Sequence, residues 1–260
     1  LVVAGEVRAL AQQVRRRLAG RLDLALLLRG PVWLDATVDR SLEHAAITAL
    51  GCQARRCLGV WQPDDDDARP RRAGCHRVWT GPSTARLDLT PPLATLRHGL
   101  DGKWRNMLNR AEGEKLDIRA ATSGPLVDWL IAANERHRRK VGYHGPTPAF
   151  IGKLAAAASE APLVLVARHA GSPVAGILLI RHARAATYYA GVTSAEGRTL
   201  RAHHLLLWQA IRRLRDAGCT SLDLGGIDTV TKPGITRFKL GLGGTPLTLA
   251  GSYLLPWRWR

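Results

Sequence analysis

At 260 residues the chain can bury a sizeable core, in one large or two modest domains. Its formal charge of +17 and pI near 11.0 point to polyanionic partners: nucleic acid, nucleotide-linked substrates or an anionic membrane surface. Four cysteines without C-x-x-C spacing, and no histidines paired at ligand spacing, argue against a zinc site, and no apolar run reaches the roughly 20 residues that span a bilayer.

The pattern of residues 6 to 18 predicts an amphipathic helix, with Val7, Leu10, Val14 and Leu18 on one face, arginines opposite, and Gly20 as its stop. Residues 22 to 28 form an almost continuous apolar run of strand length, and Gly30-Pro31-Val32-Trp33 turns into further extended chain. Asp39 or Ser41 caps a helix to about Leu50, and residues 56 to 61 make another strand. Strands alternating with helices predict an α/β layer structure. From Gln62 to Gly74 the periodicity collapses into PDDDDARPRRAG. Four adjacent carboxylates at Asp64 to Asp67 cannot converge on one ion, and neighbouring arginines offer them partners, so a solvated loop is expected rather than a metal site.

Beyond it come a strand over 84 to 89, a break at Pro91-Pro92, and a helix containing Leu93, Leu96 and Leu100. A basic helix over 104 to 111 and a strand over 116 to 120 follow. The helix over 126 to 139 ends in Arg136-His137-Arg138-Arg139-Lys140 before Gly142-Tyr143. Such an end is either a solvated terminus favoured by the helix dipole or a site for phosphate or carboxylate, which arginine grips bidentately. Residues 163 to 168, the turn Gly171-Ser172-Pro173 and residues 174 to 180 read as a β-hairpin, with a third strand over 186 to 191. A helix over 202 to 217, ended by Gly218, leads back into a strand at 221 to 224.

The chain is organised around its next stretch, LDLGGIDTVTKPGITRFKLGLGG, from Leu222 to Gly244. A short strand is expected to end in a sharp turn at Gly225-Gly226. After the second turn signal Lys232-Pro233-Gly234, Ile235, Phe238 and Leu242 fall at helical spacing, closed by Gly243-Gly244. A short helix therefore presents Phe238 and Lys239 between two flexible joints.

The order D-x-G-G, G-I-x-x-F-K, G-x-G-G closely resembles the C-terminal signature of the FemABX family, aminoacyltransferases that add amino acids from aminoacyl-tRNA to peptidoglycan precursors on two GNAT-like halves. The matching residues are Asp223, Gly225, Gly226, Gly234, Ile235, Phe238, Lys239 and Gly241. Further matches at Trp104-Arg105, Arg110-Ala111, Pro173-Val174-Ala175-Gly176, Tyr188-Tyr189 and the helix from His204 to Trp208 carry the resemblance over most of residues 85 to 255.

The resemblance implies an α/β fold of two GNAT-like domains: residues 1–92, incomplete at the N-terminus, and residues 93–250. Tyr253, Leu254, Leu255, Trp257 and Trp259 are too apolar for a free tail, so residues 251–260 are expected to pack back toward the first domain. It also implies roles: Lys239 and Phe238 position the aminoacyl-tRNA end and stabilise charge, although Phe238 reads equally as core. Arg139, Tyr143 and Tyr189 match the family's precursor contacts, whereas its basic contact from the first domain has no match here. A GNAT enzyme using acetyl-CoA holds the pyrophosphate on backbone amides of a Q/R-x-x-G-x-G/A loop. Residues 196 to 202, EGRTLRA, lack the glycine pair but offer Arg198 and Arg201 to another phosphate.

The expected protein is a cytoplasmic monomer without cofactor or metal. Aminoacyl-tRNA would be its co-substrate, lipid II or a nucleotide-linked muropeptide its acceptor, and peripheral contact with an anionic membrane is allowed. An acyl-CoA-dependent N-acyltransferase of the same fold is the runner-up, and a non-enzymatic nucleic-acid-binding protein, supported by charge alone, comes third.

Overall fold

The computed structural model describes residues 2–3, 6–18, 20, 22–34, 41, 45–47, 49, 57–63, 74–142, 145–157 and 160–255. The chain forms two compact units, Leu1–Ser83 with Thr248–Arg260, and Thr84–Leu247.

In the first unit, β1 (Val2–Val3) pairs with β2 (Glu6–Val7), and β3 (Ala9–Leu10) with β6 (Val32–Trp33). A five-stranded sheet has the order β4 (Gln13–Leu18), β5 (Leu22–Leu28), β7 (Cys57–Gln62), β16 (Ser252–Leu254), β8 (His76–Trp79). The helix expected over residues 6 to 18 is therefore three strands. Val7, Leu10 and Val14 are 51, 59 and 44 % exposed, so the apolar face read from the sequence does not pack into a core. Instead β4 zips antiparallel onto β5 from Gln13↔Leu27 to Leu18↔Leu22, around Gly20 at φ +69°. Gln13 to Leu18 suits a period of two as well as one of 3.6, and cross-strand pairing decided the matter.

Helical backbone is described at residues 41, 45–47 and 49; the expected cap Asp39 and the acidic stretch 64–67 lie outside the described residues. Tyr253, 1 % exposed, packs with Leu27, Ile47, Trp61 and Cys75, so β16 completes the first core.

The second unit holds a seven-stranded sheet in the order β10 (Asp117–Ala121), β11 (Leu163–His169), β12 (Ser172–His182), β13 (Ala185–Thr193), β14 (Ser221–Ile227), β9 (Ser83–Asp88), β15 (Thr245–Thr248). Its helices are α1 (Leu93–His98), α2 (Gly102–Glu112), α3 (Pro125–Lys140), α4 (Pro148–Ala157), α5 (Ala195–Thr199), α6 (Ala202–Asp216) and α7 (Pro233–Gly241).

Strands β10 to β13 form an antiparallel meander; α6 then carries the chain over to β14, which lies parallel to β13. Helices cover both faces of this sheet, which is why β11 is apolar without alternation. Leu165 and Ala167 pack toward Leu108 and Leu206 on the side of α2 and α6, Val164 and Val166 toward Leu130 and Ile151 on that of α3 and α4. The expected stop at Gly225-Gly226 is a bend: β14 runs on to Ile227 with Gly225 at φ +77°. Strands β8 and β15 and helix α4 carry no sequence expectation.

Candidate active site

Parallel strands β13 and β14 are paired only from Ala185↔Ser221 to Thr187↔Asp223, and then they part. The motif residues gather at this parting. The Asp223 carboxylate accepts the Gly225 amide at 2.7 Å and, through the same Oδ1, the hydroxyl of buried Thr84 at 2.5 Å. Gly225 thereby takes its left-handed conformation, and a side chain there would stand 3.5 Å from the Lys239 amine and 3.6 Å from the Tyr188 carbonyl.

Lys239 reaches back from α7 and donates to the Gly226 carbonyl at 2.8 Å. The amine is half-buried, and burial holds its pKa below the ordinary lysine value. The charge of Lys232 pushes the same way, and Asp223 opposes both.

Phe238, one residue earlier, packs among rings from α2 and α6. It lies 5.8 Å from Trp104 and meets His204 and His203 edge-on at 5.0 and 5.7 Å. His203 Nε2 and the Tyr188 hydroxyl are 2.9 Å apart. Gly191 makes room for that contact, since a Cβ there would come within 1.9 Å of the Tyr188 oxygen. Burial lowers both histidines to about 4, His203 further through its neighbour His204, so both are neutral at pH 7. The same burial pushes the Tyr188 phenol up, away from ionisation.

Arg198 and Arg201 bracket the step from α5 to α6. Ser194 caps α5 by accepting the Gly197 amide at 3.0 Å. The amides of Arg198, Leu200 and Arg201 donate to the carbonyls of Ser194, Glu196 and Arg198 at 3.1, 2.9 and 3.1 Å. Four amides of this stretch are thus committed to the turn itself, and Glu196 adds a carboxylate, 2.6 Å from His169 Nδ1. Gly197 is required by packing, since a Cβ would meet the Val174 carbonyl at 2.3 Å. Arg201, at φ +55°, pairs with Glu114 at 3.6 Å; exposed Arg198 reaches the Thr193 carbonyl at 3.3 Å.

Arg139 and Tyr189 lie on the opposite face of the sheet. Arg139 lines a cavity of about 440 Å³ along α3, with Asp128, Ile131, Glu135, Arg136 and Pro148. Glu135 accepts from Arg138 at 2.7 Å and Arg139 at 2.6 Å, and these two guanidiniums, Arg138 foremost, hold its carboxyl down to about 2. Tyr189 turns away from Tyr188 and packs, half-buried, toward Leu130 and Ile151; Tyr143 lies outside the described residues. The structure thus gathers Lys239 and Phe238 at the parting of β13 and β14, and places Arg139 and Tyr189 across the sheet.

Sequence reasoning named no role for Thr84, Tyr188 or His203. Asp223 and Gly225 were legible as members of the family-like motif, and the hydrogen bond between them was not. Among the described residues no cluster of three or more metal-ligating side chains forms, and no described helix is long and apolar enough to cross a membrane.

The acetyltransferase (GNAT) domain model matches residues 97–240, more than half of the chain. The chain belongs to the GNAT family. Among solved structures, FemX shares this fold with a TM-score of 0.80 at 14% identity, over 98% of this chain and 86% of its own. The C-terminal domain (DUF2156) of a putative lysylphosphatidylglycerol synthetase from Agrobacterium fabrum gives 0.61 at 15% identity, over 96% and 81%. A tandem GNAT protein from the clavulanic acid biosynthesis pathway gives 0.52 at 13%, over 98% and 79%. No curated protein matches the sequence. At such identities the likeness is one of fold: this is a FemABX-like GNAT protein of two GNAT-like domains, and by class an acyltransferase.

Proposed function

We propose that this GNAT protein transfers an aminoacyl group from aminoacyl-tRNA to an amine of a peptidoglycan precursor, lipid II or a nucleotide-linked muropeptide. One observation carries the choice of donor. Where a CoA-dependent enzyme needs free amides for a pyrophosphate, those of Gly197, Arg198, Leu200 and Arg201 are spent within α5, and Glu196 adds a negative charge. Beside them, Arg198 and Arg201 offer two guanidiniums to a phosphate. The FemABX-like motif from Asp223 to Gly241 supports the same reading.

In the reaction the acceptor nitrogen attacks the ester carbonyl, a C–N bond forms, and the electron pair moves onto the carbonyl oxygen. Collapse expels the ribose oxygen, which gains the proton that the nitrogen loses. The Lys239 ammonium stabilises the intermediate oxyanion, and Phe238, fixed by Trp104 and the two neutral histidines, orients the aminoacyl end. Arg139, Tyr143 and Tyr189 serve the precursor, Arg139 through the cavity it lines. No cofactor takes part. The enzyme acts as a cytoplasmic monomer, with contact to anionic membrane where the precursor is lipid-linked.

The test compares transfer from charged tRNA, intact and RNase-treated, onto cell-wall precursors, with acetyl-CoA run alongside. Transfer that disappears with RNase is the expected result. Transfer that survives it, or that acetyl-CoA alone supports, moves the protein to the acyl-CoA-dependent N-acyltransferases, which the acetyltransferase description of its domain favours.

A further inference from the structure

Lys239 comes from α7, the carbonyl that receives it belongs to β14, and the bend of β14 is held from β9. We propose that Thr84 and Asp223 are positioning residues that set both the place and the charge of the Lys239 amine. The catalytic consequence rests on the acyl-transfer reading of Lys239; the geometry does not.

Thr84 Oγ1 donates to Asp223 Oδ1 at 2.5 Å across 139 residues of sequence, and the same oxygen accepts the Gly225 amide at 2.7 Å. One carboxylate oxygen thus ties β9 to the bend. With Gly225 held at φ +77°, the Gly226 carbonyl takes up the position that receives Lys239 Nζ at 2.8 Å.

The second effect is charge. Burial and the neighbouring Lys232 both act against the ammonium, and Asp223 is the anion that sustains it. Of the other groups around α7, His203 and His204, beside Phe238, are neutral; Asp101, whose amide donates to the Gly241 carbonyl, and Asp228, which bonds the Thr236 hydroxyl through its backbone, are not among the charges that act on the amine. Thr84 is suited to its place because it brings a hydroxyl. An arginine or lysine there would neutralise the carboxylate that Lys239 depends on.

Two substitutions separate place from charge. Asp223→Asn keeps an oxygen for Thr84 and Gly225 and removes the charge; Thr84→Val keeps the charge and removes the pin. The chain has six lysines, so the ammonium resonance lost in Lys239→Arg identifies Lys239 by NMR, and its titration is read without reference to activity. In Asp223→Asn the midpoint should fall by about one unit or more, and the alkaline limb of kcat with it. In Thr84→Val the midpoint should stay while kcat drops about tenfold at unchanged KM.

Should Asp223→Asn not fold, Asp223→Glu retains the charge but displaces the oxygen, and is expected to behave as Thr84→Val does. A Lys239 midpoint unmoved in Asp223→Asn, or full kcat in both Thr84→Val and Asp223→Glu, overturns the proposal. If Lys239→Ala is active while the midpoint still moves, the positioning stands and the catalytic reading of Lys239 falls.

Discussion

The half-buried amine of Lys239, held against a carbonyl beside a carboxylate, is suited to meeting developing negative charge. Lys239→Ala should lower turnover by roughly one to two orders of magnitude or more, the scale of losing one oxyanion donor. Thermal stability should barely change, because the side chain's bond to the Gly226 carbonyl lies near the surface. A fully active variant, or one that has simply unfolded, would sink the assignment. Burial also lowers the Lys239 pKa, so the ammonium is lost as pH rises through a value below the ordinary one. The alkaline fall of kcat should therefore set in below the ordinary lysine value of about 10.4, and Lys239→Arg should shift it upward. At this scale the sequence disclosed the residues that gather through a local motif: Phe238, Lys239, Asp223 and Gly225. Thr84 was not legible, since only the pairing of distant strands brings it to Asp223. Nor did the adjacent tyrosines reveal which of them faces His203. Alternation along β13 sends Tyr188 and Tyr189 to opposite faces, and the irregularity of pairing at Leu178/Leu179 helps set the register.

Among the elements, strands and helices with strong turn punctuation were legible, and the failures cluster where packing had to arbitrate. Residues 6 to 18 satisfied two periods, and the glycine pair at 225–226 bent a strand that neighbouring strands kept extended. The packing of α6 against β13 has a measurable consequence. His203 and His204 titrate at about 4 when folded and near 6.5 when unfolded, so between those values the unfolded chain binds protons that the fold refuses. Stability should therefore be undiminished above about pH 6.5 and fall as pH drops toward 4, on the order of 3 kcal/mol for His203. Urea melts across that window check the sign, and replacing both histidines with glutamine should flatten the profile. Gly191→Ala tests the same packing at neutral pH. Its methyl would displace the Tyr188 hydroxyl from His203, at a cost of roughly 1–3 kcal/mol. A stability equal to that of the parent would show that the contact between β13 and α6 yields more easily than the structure implies.

For the molecule as a whole, the two-domain GNAT architecture was legible through the family motif rather than through periodicity, because neither half repeats the other in sequence. The net charge of +17 is the one global property that bears on the donor. Each phosphate contact made by a cation releases counterions, so log affinity falls against log salt with a slope of about 0.9 per contact on duplex nucleic acid and 0.7 on single strands. Between 50 and 200 mM salt, two such contacts weaken binding by roughly tenfold, which is what Arg198 and Arg201 together would supply. Charged tRNA should therefore bind at least that much more weakly at the higher salt. Replacing both arginines with glutamine should remove about 1.4 to 1.8 from the slope while leaving the rest of the charged surface to supply the remainder. The alanine variant of Lys239, measured alongside, should lose turnover and keep the slope, because its amine is committed to Gly226 and the nascent oxyanion rather than to backbone phosphate. An unchanged slope in the double arginine variant would place the polyanion elsewhere on the molecule and leave the turn between α5 and α6 without a part in donor binding.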